Sequence, residues 1–456
     1  MRRRLEIGVW LLAAAPVVWF YSWTATSSWG PFEWRNDKVD HYNLLADGFL
    51  SGHLYMKLDP PPELLALRDP YDPLTNAALR KHDASLYHGK YYLYFGPVPA
   101  LALFVPAKLL ADVSLPENFA VVLFVTAGYA FSCLLLVLLL ELSGVRVPLW
   151  LLGVAFAGLG LAQFTPILLR RPMVYEVAIA AGFCFLTGGL YFLARDTPLC
   201  ALLAGILLGL APGCRPHFAI PVALVCVLFA RRGWLLAAPV AACGVGLAAY
   251  NYARFGSIFE FGQRYQLAAS VHNEIHLSLR NVLPDLYDLL FYPPVRLDGF
   301  PFYRLRISSF GERTAGVAVV MPLCLIGCVA AAFVIGRRSW MDRRVTRTLA
   351  SLFVTAGAIL LFLCLTGTSN LRYQVDYTPI LWVAGLFVLL LISARAALPW
   401  VRRGAAALVV AGCLWGAAAA ALLSINGYES GLEMMNPQAF HEIAAWFGDS
   451  PRARVP

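Results

Sequence analysis

Apolar runs of roughly 15 to 25 residues recur along almost the whole chain. A helix of about 20 apolar residues crosses the ~30 Å hydrocarbon of a bilayer while satisfying its own backbone hydrogen bonds. Only 14% of the residues are charged and the mean hydropathy is +0.65, whereas about a quarter of residues are charged in soluble proteins. Strand-like alternation is absent from these runs. The sequence therefore predicts an all-α, polytopic transmembrane helical bundle.

The runs predict about eleven membrane spans. They lie near 7–26, 118–142, 147–169, 173–194, 199–213, 216–231, 233–252, 314–336, 346–366, 376–394 and 400–424. A shorter apolar run at 96–110 is interrupted by Pro97, Pro99 and Pro106. We expect that run to lie in the membrane interface or to re-enter the membrane. The whole chain, 1–456, is expected to form one transmembrane domain.

Basic residues near the ends of the spans predict the orientation. The Met-Arg-Arg-Arg start favours a cytoplasmic N-terminus, because positive charges close to spans prefer the cytoplasm. With residues 96–110 not crossing, the outer side receives two long segments, 27–117 and 253–313, and a tail at 425–456. Twenty-three of the 27 acids fall on that side. We therefore expect a multi-pass protein of the cytoplasmic (inner) membrane whose chemistry lies on the outer face.

The net charge of +9 is explained by arginines in the predicted cytoplasmic loops. It predicts contact with membrane lipids and does not indicate nucleic acid.

The first outer segment is unusually acidic, with eleven of the 27 acids. Residues 40–56 predict a surface helix with Asp40 at its N-cap and Tyr42, Leu45, Phe49 and Leu50 on one face. A carboxylate held at this boundary can act as a general base, and Asp37 and Asp40 are the candidates. For Asp40, the role of helix cap is an equal alternative. Further candidates in this segment are Asp83 and Tyr94, although interfacial tyrosines more often act as membrane anchors.

Arginines at the predicted outer ends of spans form a second group. They include Arg171 before PMVYE, Arg215 with His217 in PGCRPH, Arg264 in GQRYQ and Arg372 in NLRYQVDY. Their location breaks the positive-inside rule, and a bound phosphate would explain it because a planar guanidinium suits that anion. The alternative is structural ion pairing, of Arg171 with Glu176 or of Arg372 with Asp376. The short, proline-flanked spans 199–213 and 216–231 suggest a cavity for a lipid tail.

Several of these stretches resemble the C-type glycosyltransferase superfamily (GT-C). They are the outer loop beginning NDKVDHYNLLADGFLSGHLY, the RPMVYE and GLAPGCRP turns, the NYARFG segment and RYQVDYTP. The superfamily includes protein O-mannosyltransferases, aminoarabinose transferases of lipid A and Rgt-like lipopolysaccharide glycosyltransferases. The likeness in layout covers most of the chain.

The resemblance implies transfer of a hexose or pentose from a polyprenyl-phosphate donor to an acceptor glycan, lipid or protein of the cell envelope. Asp37 or Asp40 would be the base. Arg171, Arg215 and Arg372 would bind the phosphate. From the residues themselves, Arg264 is a further phosphate candidate, and the additional candidate site residues are Asp83, Glu176, His217 and Tyr94. The adjacent pair of acids common in this loop is missing, so neither a metal nor another cofactor is expected.

A polytopic transporter, or a flippase or polymerase of lipid-linked glycans, is the alternative function. Transporters are expected to carry charges in mid-span and two related halves. The predicted spans have almost no central charge, which favours the transferase.

Overall fold

The apolar runs form helices that lie side by side in a bundle. The computed structural model describes residues 2–35, 39–230, 233–268, 275–309, 311–335, 337, 340–427 and 431–448. In chain order, the helices are α1 (Arg2–Trp29), α2 (His41–Leu50), α3 (Pro62–Leu65), α4 (Pro73–Asn76), α5 (Val105–Ala111), α6 (Glu117–Leu142), α7 (Leu149–Leu161), α8 (Thr165–Arg170), α9 (Val174–Arg195), α10 (Pro198–Leu210), α11 (Ala219–Leu228), α12 (Trp234–Phe255), α13 (Val282–Phe291), α14 (Val317–Val320), α15 (Pro322–Ile335), α16 (Arg343–Thr366), α17 (Thr378–Arg395), α18 (Pro399–Asn426), α19 (Leu432–Met435) and α20 (Pro437–Trp446).

Short hairpins and helical turns complete the described structure. The strands are β1 (Ser85–Tyr87), β2 (Lys90–Tyr92), β3 (Val295–Arg296), β4 (Tyr303–Arg304), β5 (Arg306–Ile307) and β6 (Arg313–Thr314), which pair in order as three antiparallel hairpins. A π-helical turn spans Ala100–Phe104 and runs into α5. Turns of 3-10 helix lie at Ala211–Gly213, Pro216–Phe218, Gln263–Tyr265, Leu279–Asn281 and Leu371–Asp376. The prediction of a helical membrane bundle is confirmed.

Among the described residues, seven helices are long and apolar enough to cross a membrane: α1, α6, α9, α12, α16, α17 and α18. The four other predicted spans coincide with the shorter apolar helices α7, α10, α11 and α15. The count of eleven spans therefore stays a prediction.

Two predicted spans are not continuous helices. In the run 147–169, helix α7 ends at Leu161 and α8 begins at Thr165. In the run 314–336, Thr314 belongs to strand β6, and Met321 interrupts the helix between α14 and α15. Pro166 and Pro322 lie in the first turns of α8 and α15. Proline has no N–H to donate and its ring clashes with a preceding helical turn, so a helix readily ends before it.

Helix α9 lies at the centre of the bundle and is almost wholly buried between α6 and α10. Helices α15 and α17 approach closely at two glycines. A Cβ added to Gly327 would lie only 2.5 Å from the Cα of Gly385. Small residues at such crossings let helices in a membrane pack backbone to backbone.

The predicted outer segments meet at one end of the bundle. The Arg254 side chain donates to the carbonyl of Leu93 at 2.7 Å, and the Asn370 side chain donates to Oε2 of Glu312 at 3.1 Å. Three segments far apart in sequence are thus joined in space. At the opposite end, Arg344 donates to the carbonyl of Ala194 at 2.9 Å. These contacts agree with the predicted division into outer segments at one end of the bundle and cytoplasmic segments at the other. Which end faces the cytoplasm stays a prediction.

Candidate functional site

Arg215 forms a buried ion pair at the end of the bundle where the long segments meet. It lies between the two 3-10 turns that join α10 to α11, and its Nη2 is 2.7 Å from Oδ2 of Asp376. The ring of His217 approaches the same oxygen, with Nε2 at 3.3 Å. All three side chains are at least nine-tenths buried. One carboxylate therefore binds Arg215 and faces His217.

Arg372 forms a second buried pair beside the first. Its Nη1 lies 3.3 Å from Oε1 of Glu176, in the first turn of α9. Arg171, just before α9, also acts electrostatically on Glu176. The alternative of structural ion pairing named Arg372 with Asp376, but Asp376 pairs with Arg215 instead. We call Arg215, Arg372, Glu176 and Asp376 the arginine cluster.

Two tyrosine rings order the guanidinium groups of this cluster. The ring centre of Tyr373 lies 4.5 Å from the Arg215 guanidinium and 5.4 Å from that of Arg372. Tyr175 faces Arg372 from 4.0 Å. Cations at these distances are attracted to aromatic faces, and rings also fix the plane of a guanidinium. Nε of Arg215 is buried without a hydrogen-bond partner among the described residues, so the cluster retains capacity to bind an anion.

Asp83 and Tyr94 both lie beside Tyr175, the residue whose ring faces Arg372 of the arginine cluster. Asp83 is buried in a left-handed conformation, accepts a hydrogen bond from Nε2 of Gln266 at 2.8 Å and lies beside the Tyr175 hydroxyl. The ring of Tyr94 lies 6.5 Å from that of Tyr175. Burial raises the pKa of Tyr94 well above its usual range, so its hydroxyl stays protonated. The sequence candidates Asp83, Glu176, His217, Arg215, Arg372 and Tyr94 thus share one neighbourhood.

Asp40 is the N-cap of α2. Its carboxylate accepts from the backbone N–H of Asn43 at 3.1 Å and from the Asn43 side chain at 2.8 and 3.0 Å. The same side-chain amide donates to the carbonyl of Leu115 at 2.7 Å. The predicted cap is therefore present. Asp37, the other proposed base, lies outside the described residues.

Glu117 is an acid of the first outer segment that the sequence did not single out. It begins α6, contacts the backbone of Tyr42 and interacts electrostatically with Asp40, Lys81 and Glu176. Its Oε1 is buried without a hydrogen-bond partner among the described residues. The available signal was an acid in the first turn of a predicted span, on the side that holds the other candidates.

Lys81 occupies the space beside these two acids. Its Nζ donates to the carbonyl of Val39 at 2.6 Å. Burial lowers the pKa of Lys81, while Glu117 and Asp40 act against that shift. The region therefore combines two carboxylates and one ammonium group near the start of α2.

Arg264 differs from the other predicted phosphate ligands. It is exposed on the turn Gln263–Tyr265, next to the tyrosine that contacts Tyr87 at 4.6 Å. The described ion pairs do not bring it into the arginine cluster.

An apolar cavity of about 400 Å³ lies beside the turns that join α10 to α11. It is lined by α10, α11, α12 and the segment after α12, including Pro212, Pro216, Val240, Leu247 and Phe261. Pro216 directly follows Arg215. The wall of the cavity and the Arg215 ion pair are therefore neighbours in the chain, where the short, proline-flanked helices predicted a cavity.

No family model matches the sequence, and no curated protein matches it. Solved structures of the oligosaccharyltransferase of Archaeoglobus fulgidus are similar in fold. Its apo form has a TM-score of 0.54 and 14% identity over 93% of this chain and 56% of that one. The complex of the same enzyme, AglB, with an inhibitory peptide and a dolichol-phosphate has a TM-score of 0.53 and 15% identity over 99% and 59% of the two chains.

A third structure, tethered to an acceptor peptide containing the NVT sequon, has a TM-score of 0.53 and 16% identity over 99% and 57% of the two chains. The chain thus spans less than three fifths of the length of that enzyme. The arrangement of its helices nevertheless matches over nearly all of its own length. The chain therefore shares its fold with the matching part of that oligosaccharyltransferase, which agrees with the fold expected from the resemblance to the GT-C superfamily.

Proposed function

We propose that this protein transfers a sugar from a polyprenyl-phosphate carrier to an acceptor at the end of the bundle that carries the arginine cluster. The observation that supports this most is the position of Arg215, whose side chain lies in the buried cationic site and whose next residue, Pro216, lines an apolar cavity. A polyprenyl phosphate has the same two parts, a phosphate and a long apolar tail. The complex of the similarly folded AglB with a dolichol-phosphate supports the same donor class.

The charges of the site suit the leaving group. Arg171, Arg215 and Arg372 bring three positive charges to two carboxylates, Glu176 and Asp376. Cleavage of the sugar–phosphate bond leaves a phosphate monoester that gains negative charge. Guanidinium groups already oriented by rings and carboxylates stabilise that charge without reorganising. We assign phosphate binding to Arg215 and Arg372, with Arg171 as a third contributor.

The proposed reaction also needs a base. A carboxylate of the first outer segment takes the proton of the acceptor hydroxyl, and the hydroxyl oxygen attacks the anomeric carbon. The bond from that carbon to the phosphate oxygen breaks, and its electron pair leaves with the phosphate, with inversion at the sugar. Asp37 and Asp40 are the candidates predicted from sequence, and Glu117 joins them because Oε1 is buried without a hydrogen-bond partner among the described residues. We propose no metal.

The acceptor is proposed to be a glycan, lipid or protein of the cell envelope, on the outer face of the cytoplasmic membrane. These proposals follow the resemblance and the predicted orientation.

A binding and transfer experiment tests the function. The full chain in nanodiscs should bind undecaprenyl phosphate saturably. It should also consume one of the polyprenyl-phosphate sugars carrying mannose, glucose or arabinose when envelope extract supplies the acceptor, with or without EDTA. Movement of the intact lipid-linked sugar across the bilayer without its cleavage would instead support a flippase and refute the transferase.

Three substitutions identify the base. Asp37→Asn, Asp40→Asn and Glu117→Gln are compared for binding of undecaprenyl phosphate and for transfer. The base is the residue whose variant binds normally and loses transfer. Full transfer in all three single variants and in the triple variant would refute these three carboxylates as the base.

A further inference from the structure

A second cavity lies at the opposite end of the bundle from the arginine cluster. It has a volume of about 330 Å³ and is lined by α1, α6, α7 and α9. On α6 its lining runs from Ala130 to Glu141, a rise of roughly 16 Å at 1.5 Å per residue. That depth is about half of a ~30 Å hydrocarbon core, so the cavity extends through one leaflet.

The lining of this cavity is apolar except at one end. Ile7, Trp10, Cys133, Leu134 and Phe156 form its walls. Ile7 and Leu134 are about half exposed on the side of the bundle. The cavity is therefore an apolar groove open to the surrounding lipid, and we call it the α1–α6 groove.

A polar chamber of about 360 Å³ adjoins the α1–α6 groove and shares Glu6, Val137 and Glu141 with it. The turn after α6 forms its other wall, with Gly144, Val145 and Arg146. The two carboxylates thus stand where the apolar groove meets the polar chamber. An amphipathic ligand with one polar headgroup and one apolar chain would match this arrangement.

The charges around the junction have both signs. Arg146 lines the polar chamber, and Arg195 lines the groove within electrostatic range of Glu141. Nε of Arg195 donates to the Tyr191 hydroxyl at 3.0 Å, which holds the guanidinium at the rim. Two acids and two arginines therefore surround the position of a headgroup.

We propose that the α1–α6 groove and the polar chamber bind a phospholipid with a primary ammonium headgroup, of the phosphatidylethanolamine class. The ammonium group lies between Glu6 and Glu141, the phosphate faces Arg146 and Arg195, and an acyl chain fills the groove. Phosphatidylglycerol can also place its phosphate at the two arginines, but it offers the two carboxylates a neutral glycerol in place of an ammonium group. It therefore lacks one of the two opposite-charge contacts and binds more weakly.

The site is separate from the proposed chemistry but shares two helices with it. Glu117 and Glu176 begin α6 and α9, whereas the groove lies along the other ends of both helices. A lipid bound there stabilises the native packing of α1 against these helices by mass action.

Native mass spectrometry of the full chain in detergent tests the proposal. Dioleoyl phosphatidylethanolamine and dioleoyl phosphatidylglycerol are added at equal concentration, and the lipids retained per protein are counted. We expect retention of the ethanolamine lipid to exceed that of the glycerol lipid about fivefold, the scale of partly exposed ion pairs. Equal retention by the wild-type chain, or a preference for the glycerol lipid, would overturn the proposal without any variant.

Two variants separate the headgroup from the chain. The double change Glu6→Gln with Glu141→Gln should abolish the preference, and Ala130→Phe should reduce retention of both lipids by filling the groove. Asp342→Asn is the matched control, because it removes an acid that caps α16 outside both cavities. An unchanged preference in the double variant, or unchanged retention in Ala130→Phe, would contradict the assignment.

Discussion

The Arg215 guanidinium donates to the Asp376 carboxylate across 2.7 Å, joining two residues 161 positions apart in the chain. Arg215→Ala would remove a proposed phosphate ligand and leave Asp376 as an uncompensated buried charge. We expect undecaprenyl phosphate to bind about 10- to 100-fold more weakly, the range for charge-assisted hydrogen bonds. The variant should also lose about 3–5 kcal/mol of stability, as broken buried ion pairs do. Binding and thermal unfolding measured on the same preparation check both effects.

The double change Arg215→Ala with Asp376→Asn separates these effects. Removing both charges should restore much of the melting temperature, while binding of undecaprenyl phosphate stays weak. Arg170→Ala is a useful comparison, because Arg170 is also buried but donates to Ser27 and lies outside the cluster. It should destabilise the protein and leave the affinity of the folded fraction unchanged. Recovery of binding in the double variant would show that Arg215 acts only through stability.

The cap on α2 gives a second prediction, which concerns Asp40. Asp40→Ala removes the acceptor for the Asn43 N–H and should lower the free energy of unfolding by about 1 kcal/mol. Asp40→Asn should cost much less, since asparagine is also a favourable N-cap residue. Chemical denaturation of the two variants checks this order. Equal destabilisation by alanine and asparagine would mean that the charge of Asp40, and not the cap, stabilises this region.

The helical bundle could be predicted because its signals are local. Each long apolar run is a span candidate by length and composition alone, and Asp40 before a helical pattern is a cap by position alone. The breaks at Leu161 and Met321 were missed because hydropathy dominates the runs that contain Pro166 and Pro322. Hydropathy reports burial in lipid and is insensitive to a missing backbone donor.

The partners within the candidate site could not be predicted, because they depend on how helices rotate against one another. Sequence proximity suggested Arg171 with Glu176, which do interact electrostatically, and Arg372 with Asp376, which pair with other residues instead. In the fold, Glu176 faces Arg372 from another helix, and Asp376 turns towards Arg215. Glu117 was missed for the same reason, since its charge meets that of Asp40 only because Asn43 of α2 bonds to Leu115, just before α6.

A third prediction concerns acid stability and His41. Burial, followed by the charge of Lys81, lowers the pKa of His41 to about 4, and its Nε2 is 2.9 Å from the His82 carbonyl. The unfolded chain takes up this proton near pH 6.5, before the native protein does. The contribution of His41 is therefore present above about pH 6.5 and is lost as pH falls from there through about 4.

His41→Gln keeps a donor for the His82 carbonyl and removes the titration. Its melting temperature should fall less than that of the wild-type protein between pH 7 and pH 4. His441→Gln, at an exposed position, is the control and should follow the wild type. Parallel curves for wild type and His41→Gln would contradict this prediction.

The fourth prediction runs in the opposite direction with pH and concerns Asp285 of α13. Burial raises the pKa of this carboxyl to about 7, and Asp288 adds to the shift by repulsion. The native protein therefore keeps a proton that the unfolded chain releases near pH 4, so stability falls as pH rises from about 4 to about 7.

Asp285→Asn removes that loss, and its melting temperature relative to the wild type should be higher at pH 8 than at pH 5. Asp298→Asn, which changes an exposed acid, should show no such difference. If Asp285→Asn and the wild type respond equally to pH, the carboxyl of Asp285 is already ionised in the native protein at pH 5.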